Sequence, residues 1–169
     1  MTVQPSITIR NEAVADAKAV DALVDRAFGP GRYAKAAERL REGNRLCADL
    51  SFVAMAGEEV VGAIRQWPVA VGDARGVFLG PIAVDPAYRK LGLGADLIAR
   101  AVQAAQTAGE AFILLVGDAP LFVPHGFEIV PAGAVRMPGP VDPRRVFWRA
   151  TRAAGLDGAA GLAHVPRDG

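Results

Sequence analysis

The chain has 169 residues, 51% of them apolar, and 19 basic residues against 18 acidic ones leave a net charge of +1. That length suits one domain with a substantial core, and the near-balanced charge offers no electrostatic footprint for nucleic acid or an anionic membrane. A single cysteine excludes an internal disulfide framework, and with only two histidines a structural zinc site is not expected either.

The opening MTVQPSITIR lacks the apolar core of a signal peptide, and no apolar run of about 18 residues occurs, so a soluble, cytoplasmic protein is expected. Residues 6–10 alternate as a first strand. Asn11 or Asp16 then opens a helix with Val14, Ala17, Val20, Leu23, Val24 and Ala27 on its apolar face, and Gly29-Pro30-Gly31 breaks it. Residues 32–42 read as a second, more polar helix stopped by Gly43-Asn44. Two apolar runs, 50–56 and 60–69, flank Gly57-Glu58-Glu59 and predict a hairpin. Arg65 and Gln66 are its polar exceptions, and Pro68 marks an edge or a strand end. Cys47 reads as a small packed hydrophobe, not a nucleophile.

Residues 77–107 organise the chain. An apolar, β-branched run over 77–84, interrupted by Gly80-Pro81, is stopped by Asp85-Pro86. After Arg89-Lys90-Leu91-Gly92-Leu93-Gly94, apolar residues at 93, 97, 98, 101, 102 and 105 share one face of a helix, and Gly109 lies just past its end. Glycines at 92 and 94 let the backbone lie against a ligand, and the first turn of the helix offers amide N–H groups with no intrahelical partner. This is an anion site, with Arg89 and Lys90 adding charge at its mouth. It is not a Walker loop, and position 97, a leucine, breaks the dinucleotide fingerprint. The pattern present is Arg-x-x-Gly-x-Gly after a strand ending in Ile-Ala-Val.

That pattern resembles the acyl-CoA-binding core of the GNAT superfamily of N-acetyltransferases, whose signature is [QR]-x-x-G-x-[GA]; Arg89, Gly92 and Gly94 match it. The resemblance continues through a fifth strand over 111–116 and a short helix within 120–130. There Gly117-Asp118-x-x-x-Phe122 followed by Gly126-Phe127 is similar to the small bacterial YhbS-like branch. It implies a mixed α/β (α+β) fold: a mostly antiparallel sheet of about six to seven strands, splayed between strands 4 and 5 and flanked by helices. It implies acetyl-CoA as co-substrate, its pyrophosphate on Arg89, Lys90, Leu91, Gly92, Leu93, Gly94 and Ala95. Its pantetheine arm would lie along Ile82, Ala83 and Val84, with Phe122 beside it. Arg32, Tyr33 and Arg41 become candidate acceptor contacts, and Asp118 is either a helix cap or a polar group near the acceptor.

One position departs from the family. Where many members have a tyrosine that protonates the leaving thiolate, this chain has Phe122. The remaining candidates for that role are Tyr33, His125 and Tyr88, the last placed too far off ahead of the glycine loop, with Asp118 a further polar group; no residue is assigned as acid or base. Residues 131–143, with four prolines, read as an irregular connection, and residues 145–149 as a last strand with Phe147 and Trp148 facing opposite sides. Residues 1–150 are expected to form the domain. Residues 151–169 form a partly ordered tail or an arm for a homodimer. The expected activity is acetyl transfer from acetyl-CoA to a primary amine of a small molecule or peptide, one that is not strongly charged. The alternative is a non-catalytic acyl-CoA-binding or sensing module.

Overall fold

The computed structural model describes residues 6–28 and 36–167. Its strands are β1 (Ile7–Asn11), β2 (Phe52–Ala56), β3 (Glu59–Val71), β4 (Ala74–Val84), β5 (Phe112–Val116), β6 (Glu128–Ile129), β7 (Val135–Arg136), β8 (Val146–Ala150) and β9 (Gly161–His164). The helices are α1 (Ala17–Phe28), α2 (Ala36–Arg39), α3 (Leu93–Thr107) and α4 (Ala119–Phe122). The strand order is β1-β2-β3-β4-β5-β8-β6, with β9 beside β3 and β7. In the main path the β4–β5 pair is parallel and the others are antiparallel. The sheet is larger than the six to seven strands expected because three two- to four-residue strands, β6, β7 and β9, carry too little periodicity to be read from the sequence.

The long strands are buried on both faces, which is why FILLV of β5 is uninterruptedly apolar. Ile113 and Leu115 pack with Leu97, Ile98, Ala101 and Ala105 of α3. Phe112 and Leu114 point the other way, into a cluster with Phe78, Leu40 of the α2 region and Ala163 of β9. Phe147 and Trp148 likewise divide between these two clusters, as their adjacency on one strand requires. Val20, Leu23 and Val24 of α1 cover Val53, Ala63 and Ala83 in a third. Val14 departs from the expected helical face: it lies in a short 3-10 turn ahead of α1 and is 96% exposed.

Pro68 sits inside β3, not at its end, paired in register with Val77. The other edge of β3 explains how a proline fits there. β2 covers it only as far as Ile64, and β9 resumes at Ala70. Between them the main chain is served by a loop: Cys47 N–H donates to the Gln66 carbonyl at 2.9 Å. Asn44 Nδ2 donates to the Pro68 carbonyl at 2.8 Å, and the Gln66 N–H donates to Ser51 Oγ at 3.0 Å. The missing proline N–H therefore breaks no ladder. The segment after residue 150 contributes β9 and the buried Ala159 and Ala163. No described helix is long and apolar enough to cross a membrane.

Asp16 closes the entry to α1. Its carboxylate accepts from Arg10 at 2.6 and 2.9 Å and from the Ala13 N–H at 2.7 Å. The Arg10 hydrogen bonds hold its carboxyl down to about 2. A folded-state value below the unfolded one stabilises the protein at neutral pH, and that contribution is lost as pH falls from about 4 to about 2. Asp16→Asn is therefore expected to cost about 1 kcal/mol at pH 7, half-exposed Arg10 being screened by solvent. In urea titrations at pH 7 and pH 2.5 the gap between the two proteins should narrow to about a third at the lower pH. A gap of the same size at both would show that the carboxylate's charge is not the cause.

Candidate active site

β4 and β5 pair only over Val77–Leu79 and Ile113–Leu115. Beyond Leu79 the two strands part. The cause lies in β4, where the register with β3 passes from Ile64 opposite Ile82 to Gln66 opposite Leu79. Gly80 and Pro81 together face Arg65 alone, a bulge that bends the strand away from its neighbour. The Gly80 carbonyl is occupied by Trp67 Nε1 at 2.6 Å, and Pro81 has no N–H.

Which main-chain groups face the gap follows from the ladder. Asp85 N–H donates to the Val61 carbonyl at 2.8 Å. The antiparallel alternation then points Ala83 at β3 and turns Ile82 and Val84 toward the parted side. The Val84 carbonyl accepts from Arg89 Nε at 3.2 Å. The Ile82 N–H and C=O and the Val84 N–H are left to face the opening.

Directly after β4, Asp85 accepts the Ala87 N–H at 3.0 Å and starts a 3-10 turn over Pro86–Leu91. The turn closes on Gly92 in the left-handed region, φ +73°, which is simultaneously the N-cap of α3. Asp96 is the first residue of α3 to donate back, to the Gly92 carbonyl at 3.1 Å. The N–H groups of Leu93, Gly94 and Ala95 therefore have no intrahelical acceptor. A Cβ at Gly92 would meet nothing within 4 Å, so the space in front of these amides is open. Arg89 and Lys90 are exposed beside it, while Leu93 is buried and anchors the helix to the core.

The gap between the strands widens into a cleft of about 420 Å³. α1 and α2 cover it with Val24, Phe28, Ala36 and Ala37; Leu121 and Phe122 of α4 and the Pro140–Val141 corner close the other side. Among the described residues its charged side chains are Arg41, Asp118, Asp142 and Arg145. Each is matched: Arg41 with Glu38 at 2.8 Å, Arg145 with Asp118 at 3.3 Å, and Asp142 with Arg144 at 3.0 Å. A cavity of similar size, about 440 Å³, lies at the other end of β4, lined in part by Arg45, Cys47, Arg75 and Glu110. It has no parted strands and no helix N-terminus, and burial pushes the Cys47 thiol up to about 11, which keeps it protonated and unreactive. The cleft at the β4–β5 opening is the better candidate on chemical grounds.

The structure brings Ile82, Asp118, Phe122 and Arg41 together on this cleft, and places Val84, Arg89 and residues 90–95 where β4 runs on from it. Arg32 and Tyr33 lie outside the described residues. Phe122 is almost fully buried, its ring edge-on to Phe127 at 5.8 Å, and a Cβ at Gly117 would collide with it. Asp118 occupies the N-cap position of α4, but its side chain makes no capping bond; its carbonyl takes the Leu121 and Phe122 N–H groups while its carboxylate faces Arg145. His125 is not on the cleft. Its carbonyl accepts from Arg149 at 2.7 Å, and burial and then the same arginine lower the ring's pKa. Tyr88 packs against the α3 cluster. Among the described residues no group of His, Cys, Asp and Glu is arranged to hold a metal.

Sequence reasoning missed Arg145, Asp142 and the Pro140–Val141 corner. The only signal was the proline-rich stretch before β8, a long irregular connection of the kind that often lines a site. It missed Val24 and Phe28 because a helical face reads as core whether it covers a sheet or a cavity.

A sheet parted beside a parallel pair, with a glycine-capped helix at the open end, defines the acyltransferases built on the N-acetyltransferase fold. Residues 17–120 match the model of the acetyltransferase (GNAT) family, and the chain belongs to that family. It is 36% identical over 124 residues to the uncharacterised N-acetyltransferase YhbS of Escherichia coli K12, covering 72% of this chain and 73% of that one. The crystal structure of E. coli YhbS in complex with CoA superposes with a TM-score of 0.81 at 28% identity, covering 100% and 97% of the two chains. A GNAT family acetyltransferase of Brucella melitensis in complex with acetyl-CoA gives 0.63 at 27% identity, covering 90% and 99%. Family membership makes the protein an acyltransferase.

Proposed function

We propose that the protein transfers the acetyl group of acetyl-CoA to a primary amine of a small molecule or peptide. The observation that carries this reading is the continuity of one edge: main-chain groups of Ile82 and Val84 face the opening, and three unclaimed amides of α3 follow directly after it. A diphosphate fits the helix N-terminus, with Arg89 and Lys90 beside it. An amide-bearing arm fits the strand edge as an added strand would. The CoA and acetyl-CoA complexes of the two relatives support the same assignment. The thioester carbonyl would then reach the bulge, where the Ile82 N–H is the nearest main-chain donor for a developing oxyanion.

Positioning and this donor supply the rate. General acid–base help is worth ~10²- to 10⁴-fold, so an enzyme without it is slower but active. A second reading, an acyl-CoA sensor without turnover, is favoured by Phe122, which has no proton to donate. Calorimetric titration with CoA, followed by thiol release from acetyl-CoA in the presence of amines, separates the two. Saturable binding with amine-dependent thiol release is the expected result. Binding without release would establish the sensor, and no binding at all would remove both readings.

A further inference from the structure

We infer that the acceptor is a monoamine of low basicity on an apolar body, one with a substantial neutral fraction near pH 7 without help from the protein. The inference rests on the acetyl-transfer reading above and narrows its substrate class. Two independent features of the cleft lead to it.

The first is charge. The walls supplied by α1, α2 and α4 are apolar, through Val24, Phe28, Ala36, Ala37, Leu121 and Phe122. Every charge among the described lining residues is answered locally: Arg41 by Glu38, Asp118 by Arg145, Asp142 by Arg144. A di- or polycation entering here would shed water without meeting an uncompensated carboxylate, which is unfavourable. An apolar body with one neutral amine sheds far less hydration.

The second is proton chemistry. The nucleophile must be the free amine. Of the described groups on the cleft, the two carboxylates, Asp118 and Asp142, are engaged by arginines at its rim, and the His125 ring lies off it. An alkylammonium of pKa about 10.4 is only about 0.04% neutral at pH 7, whereas an α-amine of pKa about 7.8 is about 14% neutral, several hundredfold more. The amine lone pair forms the C–N bond at the thioester carbonyl carbon, and the C–S bond breaks as sulfur leaves as thiolate. The nitrogen loses its proton to water and the thiolate takes one from water, giving the amide and free CoA thiol. With no base among the described residues of the cleft, the amine's own pKa sets the pH dependence.

The test compares amines of similar apolar bodies with the full-length protein and acetyl-CoA: phenylalaninamide, phenethylamine and 4-ethylaniline, with spermidine as a polycation. At pH 7 kcat/KM for phenylalaninamide should exceed that for phenethylamine by about 10²-fold, and the gap should shrink steadily toward pH 10. The profile of each amine should rise with that amine's own pKa. The 4-ethylaniline arm decides whether the low-basicity amine is aryl or α-amino. Equal rates for phenethylamine and phenylalaninamide at pH 7, one shared pH profile, or a preference for spermidine would each overturn the inference while leaving acetyl transfer intact. Acetyl-CoA binding with no turnover on any amine would instead remove the transferase reading and this inference with it.

Discussion

Gly92→Glu is expected to abolish measurable CoA binding while leaving the protein folded. Gly92 stands at φ +73° with nothing within 4 Å of where a Cβ would project, so the new side chain has room. The cost to folding is the left-handed backbone alone, about 1–2 kcal/mol. The carboxylate, however, lands in front of the Leu93, Gly94 and Ala95 amides and competes there with the pyrophosphate. A loss of at least about 10²-fold in affinity, close to 2.7 kcal/mol, is the expected calorimetric result. Gly92→Ala provides the control, because it carries the same strain without the charge, and should lose far less. Unchanged affinity in the glutamate variant would mean that the diphosphate is held elsewhere.

Arg65→Ala is expected to be the most destabilising single substitution of a polar residue. Arg65 lies opposite the β4 bulge and donates to both oxygens of Glu12 at 2.9 Å and to Asp21 of α1 at 2.9 Å. The Glu12 side chain is 3% exposed, so removing the guanidinium strands a buried carboxylate. Breaking such a pair from one side costs about 3–5 kcal/mol, or about 10 °C in Tm for a chain of this size. Arg65→Met combined with Glu12→Gln should recover much of the loss, because neither charge then remains buried. The same network ties α1 to the sheet, and α1 carries Val24 and Phe28 into the cleft. Arg65→Ala should therefore raise the acceptor KM more than the CoA dissociation constant. A Tm within 2 °C of the parent, a bound taken from the roughly 2–4 °C per kcal/mol expected at this size, would show that the network contributes little.

The glycine-capped helix was legible in the sequence because its causes are local. The apolar stripe of α3, the Asp85-Pro86 stop and the Gly92 turn each follow from residues within a few positions of one another. The parting of β4 from β5 was expected only by resemblance. Its cause is a mismatch of two residues against one between β3 and β4, which neither strand shows alone. Asp118 as an α4 cap was half right: position sets the N-cap, but Arg145, 27 positions away by number, draws the carboxylate off. Arg65 and Gln66 looked like blemishes on an apolar strand. The fold supplies Glu12 and Asp21 to the first, and the Leu50 and Ala101 carbonyls to the Nε2 of the second.

By itself the sequence determined the order of the longer helices and strands, the anion-binding turn after β4 and the substitution of phenylalanine where a proton donor is usual. These rest on short-range periodicity, turn chemistry and residue identity. Only the tertiary structure decided which walls face the cleft, that the charges of its described residues are matched in pairs, and that the loop carrying Asn44, Cys47 and Ser51 fills the gap in β3 beside Pro68. Those depend on contacts between residues far apart along the chain, where one side chain's role is set by the partner the fold brings to it.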